Sequence, residues 1–436
     1  MQDTRVLDNA AEQYVRLVLA LGMHDADYVD AYYGPEAWQQ DAATGHAPLE
    51  EIGERAAMLR TELSTVHAST LDGMSRLRLL YLMRQVEALI ARVQMLQGVS
   101  FTFDDEALAL YEAKPPSFPA EYFAGLIEDV GALLPGEGDT QRRFEEFKLH
   151  FIIPPESLSS VFEAAIAEGR RRSRLHLPLP SFEHFSVEYV KGKPWSGYNW
   201  YKGNATSVIQ VNVDFPITID RAVDLACHEG YPGHHVYNSM LELDLARQRG
   251  WKEFTVYALF SPQSLVAEGT ANFGIEMAFP GVERVEFERN VLFPLAGIDP
   301  MRAEHYYQVH ALVQQLTYAG NEAARRYLDG AITREEASDW LVRYALMSPD
   351  RADQRTRFFD KYRSYVINYN LGQDLVRQAI ERRGGTPDNP EQRWRVFAEI
   401  LSSPRIPSTL QETLIAALPA ASAQAGEQPQ RMPPQQ

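Results

Sequence analysis

The chain has 436 residues, enough to bury a large core, and its 59 acidic against 42 basic residues leave a net charge of −17. Such a surface repels phosphate backbones, which excludes nucleic acid as an expected partner. The single cysteine, Cys227, cannot make an internal disulfide, no stretch approaches the apolar length of a membrane span, and residues 1–10 carry no signal-peptide pattern, so the expectation is a cytoplasmic protein with no membrane partner.

Residues 1–178 read as a helical scaffold. Val6, Tyr14, Val15, Val18 and Leu21 share one face of a first helix, which Gly22 ends ahead of the aromatic turn Tyr32-Tyr33-Gly34-Pro35. Helical patterning returns over 49–66, 74–97, 118–134, 139–151 and 156–174, and the basic cluster at 170–174 reads as a solvated helix end. After Pro178 and Pro180 the composition changes. Residues 185–190 and 207–213 alternate as strands, and 192–204 between them is a glycine- and aromatic-rich loop with Trp195, Tyr198, Trp200 and Tyr201, open to two readings: aromatics covering a small sheet, or a substrate-facing loop. Thr218 or Asp220 caps the next helix; Ser261-Pro262 opens another; residues 301–316 carry His305, Tyr306, Tyr307 and His310; and Thr333 with Glu336 forms a capping box. Residues 419–436 are Ala, Gln and Pro with little else, and read as a disordered tail. The fold class that follows is mainly α, a multi-helical scaffold with a small antiparallel β-sheet beside a pair of helices, divided as 1–178, 179–418 and the tail.

The helix capped near Asp220 runs into His228-Glu229-Gly230-Tyr231-Pro232-Gly233-His234-His235, three imidazoles and a carboxylate in eight residues. This density points to a metal site, since two ligating histidines must reach one ion from the same face. On an undistorted helix His234 would lie about 240° around from His228, while His235 would regain its face roughly 10 Å along the axis. Pro232 and Gly233 favour a bulge that restores one of the two to that face. With two residues looped out it is His234, and His235 is then a neighbouring or substrate-facing group; His235 as ligand stays open. Glu229 is the candidate general base for water activation. Asp224, one turn before His228, is a candidate to orient its ring, and Cys227 reads as a small buried residue.

The motif resembles the HExxPGHH signature of a bacterial family known only as a domain of unknown function, whose members look like gluzincin-type zinc metallopeptidases. A Gly-His pair ends HExxH in several helical gluzincins, which supports His234. The resemblance also implies a downstream glutamate as third ligand, and Glu268-Gly269-Thr270-Ala271-Asn272-Phe273 resembles the family's EGWAxY motif, nominating Glu268. Gly269 beside it would let two helices approach closely. The stretch with Arg363, Tyr365, Tyr369 and Gly372-Gln373 resembles a C-terminal motif built around PGQA. Leu371, Arg377, Thr270 and Phe273 depart from those patterns.

The resemblance implies one Zn2+ ion and hydrolysis of a peptide or small peptide-like substrate, with Tyr365, Tyr369 and His310 as candidate oxyanion donors. An exposed edge of the strand before the metal helix would pair with an extended peptide, with His235, Asn204, Asn212 and Tyr201 as candidate substrate contacts. Two rival readings are a metal-dependent hydrolase of a non-peptide amide or ester, and a catalytically inactive binding protein that keeps the helical shell.

Overall fold

Gln2–Gly22 turns Leu7, Tyr14, Val15, Val18 and Leu21 inward against Leu49–Ser64 and Gly73–Leu96 in the computed structural model, which describes residues 2–411. Asp72 caps the longest helix by accepting from Ser75 N at 2.8 Å, and Thr102 caps Phe103–Tyr111. Helices Ala120–Leu133, Thr140–Lys148 and Leu158–Arg174 follow where the patterning placed them. The chain is mainly α, as expected, and no described helix is long and apolar enough to cross a membrane. The tail expected over 419–436 lies outside the described residues.

Five short strands form among the described residues: β1 (Val29–Tyr32), β2 (His184–Val190), β3 (Gly197–Gly203), β4 (Thr206–Asn212) and β5 (Val256–Ala258). β1 and β5 pair as a small antiparallel sheet. The other three stand in the order β2-β4-β3, with β3 antiparallel and β2 parallel to β4, so this second sheet is mixed. Half of the expected loop is therefore strand. Gly197, Asn199 and Gly203 are poor strand formers and mask the alternation, but the left-handed pair Asn204 (φ 54°) and Ala205 (φ 49°) closes a tight hairpin to β4.

Two apolar clusters hold these elements. One joins the first helices to Pro262–Ala278 and Ile367–Arg382; the other joins the helices of 120–174 to β4, Asp220–Leu225 and Ala303–Val313. Both line a cavity of about 700 Å³ that contains the motif. The basic cluster at 170–174 is a partly solvated end, with Arg171 and Arg174 exposed as expected, but it is also paired: Arg170 and Arg174 reach the buried Glu183, at 2.8 and 2.6 Å, while Arg171 and Arg172 pair with Glu168.

Candidate metal centre

The backbone solves the spacing problem by widening its hydrogen bonds in two steps. Asp220–Leu225 is α-helical, with neither Thr218 nor Asp220 bonded as a cap, and Ala226–Gly230 is a π turn. Tyr231 N donates to Ala226 O, five residues back, and Gly233 N donates to Cys227 O, six back, at 3.0 and 2.8 Å. Each widening beyond the α-helical four takes up one extra residue. His234, first residue of the helix His234–Met240, thus comes to the position that the fourth residue after His228 would hold in a regular helix. Gly233 is compulsory, because a Cβ there would lie 1.9 Å from His228 O.

Glu268 comes from the neighbouring helix Pro262–Ala278, with Ser261 at its cap position and Pro262 in its first turn. Its Oε2 is 3.2 Å from His228 Nε2 and 3.6 Å from His234 Nε2. Two ligands about 2 Å from one tetrahedral ion stand about 3.3 Å apart, so these three groups fit a zinc ion. Two further observations favour that fit. Glu268 Oε2 is buried without a hydrogen bond, while Oε1 accepts from Tyr365 Oη at 2.7 Å. His228 Nδ1 faces Asn272 Oδ1 at 2.9 Å, which leaves Nε2 as the free donor atom. Burial works to raise the pKa of Glu268, but His234 and His228 together hold it well below the carboxylate range. His234 is raised to about 9: burial opposes protonation, and Glu268, Glu229 and Asp30 overcome it.

The helix that carries Glu268 is locked in place. A Cβ on Gly269 would lie 2.4 Å from the carbonyl of Gly372, and one on Gly372 would lie 2.5 Å from Leu265 O. Gly372 thus matches Gly269 across a contact of backbone on backbone.

Glu229 lines the cavity beside the three ligand candidates, and burial pushes its pKa up. Its carboxylate fits against Gly197, where a Cβ would come 2.7 Å from Oε1. Asn199 Nδ2 donates to Glu229 O at 2.7 Å and ties β3 to the motif. Since β4 is central, the edge that faces the cleft belongs to β3, through Gly197, Tyr198 and Asn199. Trp195 and Tyr198 also line the cavity, whereas Trp200 turns outward to Gln210. Asp30 went unread in the sequence. It accepts from Tyr198 Oη, and its pKa is raised to about 6 by burial, against the opposing pull of Tyr198 and His234. Nothing local in the sequence marks Asp30, because its partners come from β3 and the motif.

Tyr369 keeps its hydroxyl free among the described residues, with its ring 6.4 Å from that of His228, and burial holds the phenol protonated. Other candidates sit elsewhere. His235 is fully buried with both ring nitrogens engaged, Nδ1 by Ser207 Oγ at 2.8 Å and Nε2 by Glu183 at 3.1 Å, so it neither ligates nor faces substrate. Tyr201 Oη bonds Glu242, and Asn204 is an exposed turn residue bonded to Glu242 and Arg247. Asn212 Nδ2 holds the carbonyls of Lys193 and Trp195, shaping the loop behind the cleft wall rather than meeting substrate. His310 lines the cavity but pairs with Asp220 at 3.2 Å. Asp224 pairs with Arg221 and Arg284, and Asn272 takes the orienting role expected of it. Asp220, Asp224 and His310 also stand close enough to share an ion, but those two arginines already answer Asp224. Cys227 is buried, as expected, and Phe273 packs on Phe397.

Fold and site define a mainly helical protein whose cleft holds a His-His-Glu group able to take a metal ion. No family model and no curated protein matches the chain. Among solved structures it is similar to a "putative lipoprotein" from Colwellia psychrerythraea, at 14% identity and a TM-score of 0.53 over 85% of this chain and 70% of that one. A "putative lipoprotein of unknown function" from Shewanella oneidensis follows at 13% identity and 0.46, over 86% and 74%. An M32 carboxypeptidase from Deinococcus radiodurans R1 aligns at 15% identity and 0.38, over 92% and 90%. The Colwellia protein shares the fold.

Proposed function

We propose that the protein is a zinc-dependent hydrolase of peptide or peptide-like amide bonds. The observation that carries this reading is the convergence of two imidazole nitrogens on a buried carboxylate oxygen with no hydrogen bond, with a second buried carboxylate beside them. A zinc ion held by His228, His234 and Glu268 would supply Lewis acidity and a more acidic water. The chain's own groups supply the rest. Asn272 and Tyr365 orient His228 and Glu268. Glu229 accepts the proton of the attacking water, a task favoured by a carboxylate whose pKa burial has raised. The Tyr369 hydroxyl, protonated and unengaged, donates to the oxygen on which charge develops. The free edge of β3 offers main-chain groups to an extended substrate.

Metal analysis of the purified protein, paired with Glu229→Gln, tests the reading. Bound zinc in both proteins, with hydrolysis of a peptide panel in the wild type alone, is the expected result. Absence of zinc, or full activity in the variant, refutes it.

A further inference from the structure

Helix Pro349–Tyr362 sets Arg351 and Arg355, one turn apart, along the cleft wall. On the same helix Arg357 pairs with Asp353 and Lys361 with Asp27. Arg351 finds Pro216 O at 3.1 Å and the ring of Phe215. Arg355 has less: among the described residues it makes no hydrogen bond or ion pair, and its guanidinium carbon lies 4.6 Å from the Phe358 ring and 5.9 Å from that of Tyr369. Tyr369 in turn neighbours His228. One aromatic ring thus separates this cation from the metal centre.

The other carboxylates that line the cavity are engaged elsewhere. Asp220 serves Tyr306 and His310, Asp224 serves Arg221 and Arg284, Glu145 serves Lys148, and Asp30 serves Tyr198. Glu229 and Glu268 belong to the centre itself. Arg355 is half-buried in the cavity wall, and a guanidinium that gives up part of its hydration without a counter-charge keeps an unmet affinity for an anion, although in a chain with a net charge of −17 an acidic neighbour would be easy to supply. Burial accordingly lowers its pKa, with only Tyr369 opposing.

We propose that Arg355 receives a carboxylate of the substrate, so that the site selects amides with a negative group one or two residues from the scissile bond. This rests on the hydrolase reading above. The guanidinium carbon lies 5.9 Å from the Tyr369 centroid and that centroid 6.4 Å from the His228 ring, so the two ends stand at most about 12 Å apart, and beyond the roughly 4 Å of a guanidinium–carboxylate contact the remainder is one or two extended residues of roughly 3.5 Å each. The carboxylate can come from a free C-terminus or from an acidic side chain, and both offer the flat pair of oxygens that a guanidinium grips.

The test uses the full chain loaded with zinc and two substrate pairs. One pair is an N-blocked dipeptide with a free C-terminal carboxylate and its C-terminal amide; the other is an amidated tripeptide with Glu or Gln after the scissile bond. Wild type should favour the carboxylate member of at least one pair by about 30-fold or more in kcat/KM, and Arg355→Gln should bring that ratio near one. The pair that responds identifies the source of the carboxylate. Arg355→Lys, which keeps the charge, should retain part of the ratio, and thermal midpoints of both variants separate misfolding from lost recognition. Equal wild-type rates within both pairs, or a ratio that survives in Arg355→Gln, overturns the proposal and leaves the hydrolase reading standing. If the wild type cleaves nothing, the hydrolase reading fails, and calorimetry with N-acetyl-phenylalanine and its amide decides the arginine. A preference for the acid that Arg355→Gln removes supports the assignment, and equal binding overturns it.

Discussion

Asn272 Oδ1 stands 2.9 Å from His228 Nδ1, while Asn272 Nδ2 donates to Tyr369 O at 2.8 Å. The second bond fixes which end of the amide faces the ring, and the first then requires the proton on Nδ1. Asn272→Ala should therefore weaken zinc binding about 10- to 100-fold, read by competition with a chromophoric chelator. Undiminished affinity would show that the ring needs no such support.

The two tyrosines beside the group should separate by what they change. Tyr365 donates to Glu268, so Tyr365→Phe should lower zinc affinity. Tyr369→Phe removes the unengaged hydroxyl, and should cut kcat by about 10²- to 10³-fold while zinc affinity stays at the wild-type level. Single-turnover rates beside metal titrations read both.

Gly197→Ala should act through Glu229. The added methyl would lie 2.7 Å from the carboxylate oxygen and 2.8 Å from Leu225 Cδ2, so either the base or β3 must move. We expect kcat to fall with the metal content intact, checked by elemental analysis beside the kinetics.

Gly269→Ala places a methyl 2.4 Å from the backbone of Gly372, where no flexible side chain can yield. The expected loss is about 1–3 kcal/mol or more in chemical denaturation.

Glu183 carries a pH signature. Burial would raise its pKa, but His235, Tyr231, Arg174 and Arg170 together depress it from 4.5 to about 2. A depressed carboxylate stabilises the fold fully above its unfolded pKa, and the contribution fades as pH falls from about 4.5 towards 2. It amounts to about 3 kcal/mol. Glu183→Gln should lower stability at neutral pH and flatten the acid limb between those values, followed by denaturation at a series of pH values.

The candidate His-His-Glu group was readable because its chemistry is local. His228 and Glu229 are adjacent, and Pro232-Gly233 announces the break that His234 needs. Glu268 required the resemblance to a second motif. The role of His235 was not readable, since its partners Ser207 and Glu183 lie far away in the chain and only the sheet brings them together. β3 was hidden by its own glycines, and with it went the identity of the free edge and of Tyr198 and Asp30. Asn204, Asn212 and Tyr201 lie outside the cavity lining for the same reason: the hairpin turn and the central position of β4 decide where those side chains go. The helices fared better, because a repeated apolar face reports burial without knowledge of its partner.

The stepwise widening between Ala226 and Gly233 separates distance along the chain from distance in space. Two inserted residues place the second histidine sixth after His228 and still bring its ring within 4.7 Å of that of His228. A count of four from His228 lands on Pro232, while the side chain that comes to its side is His234, so the group is visible in which side chains meet and not in the interval between them.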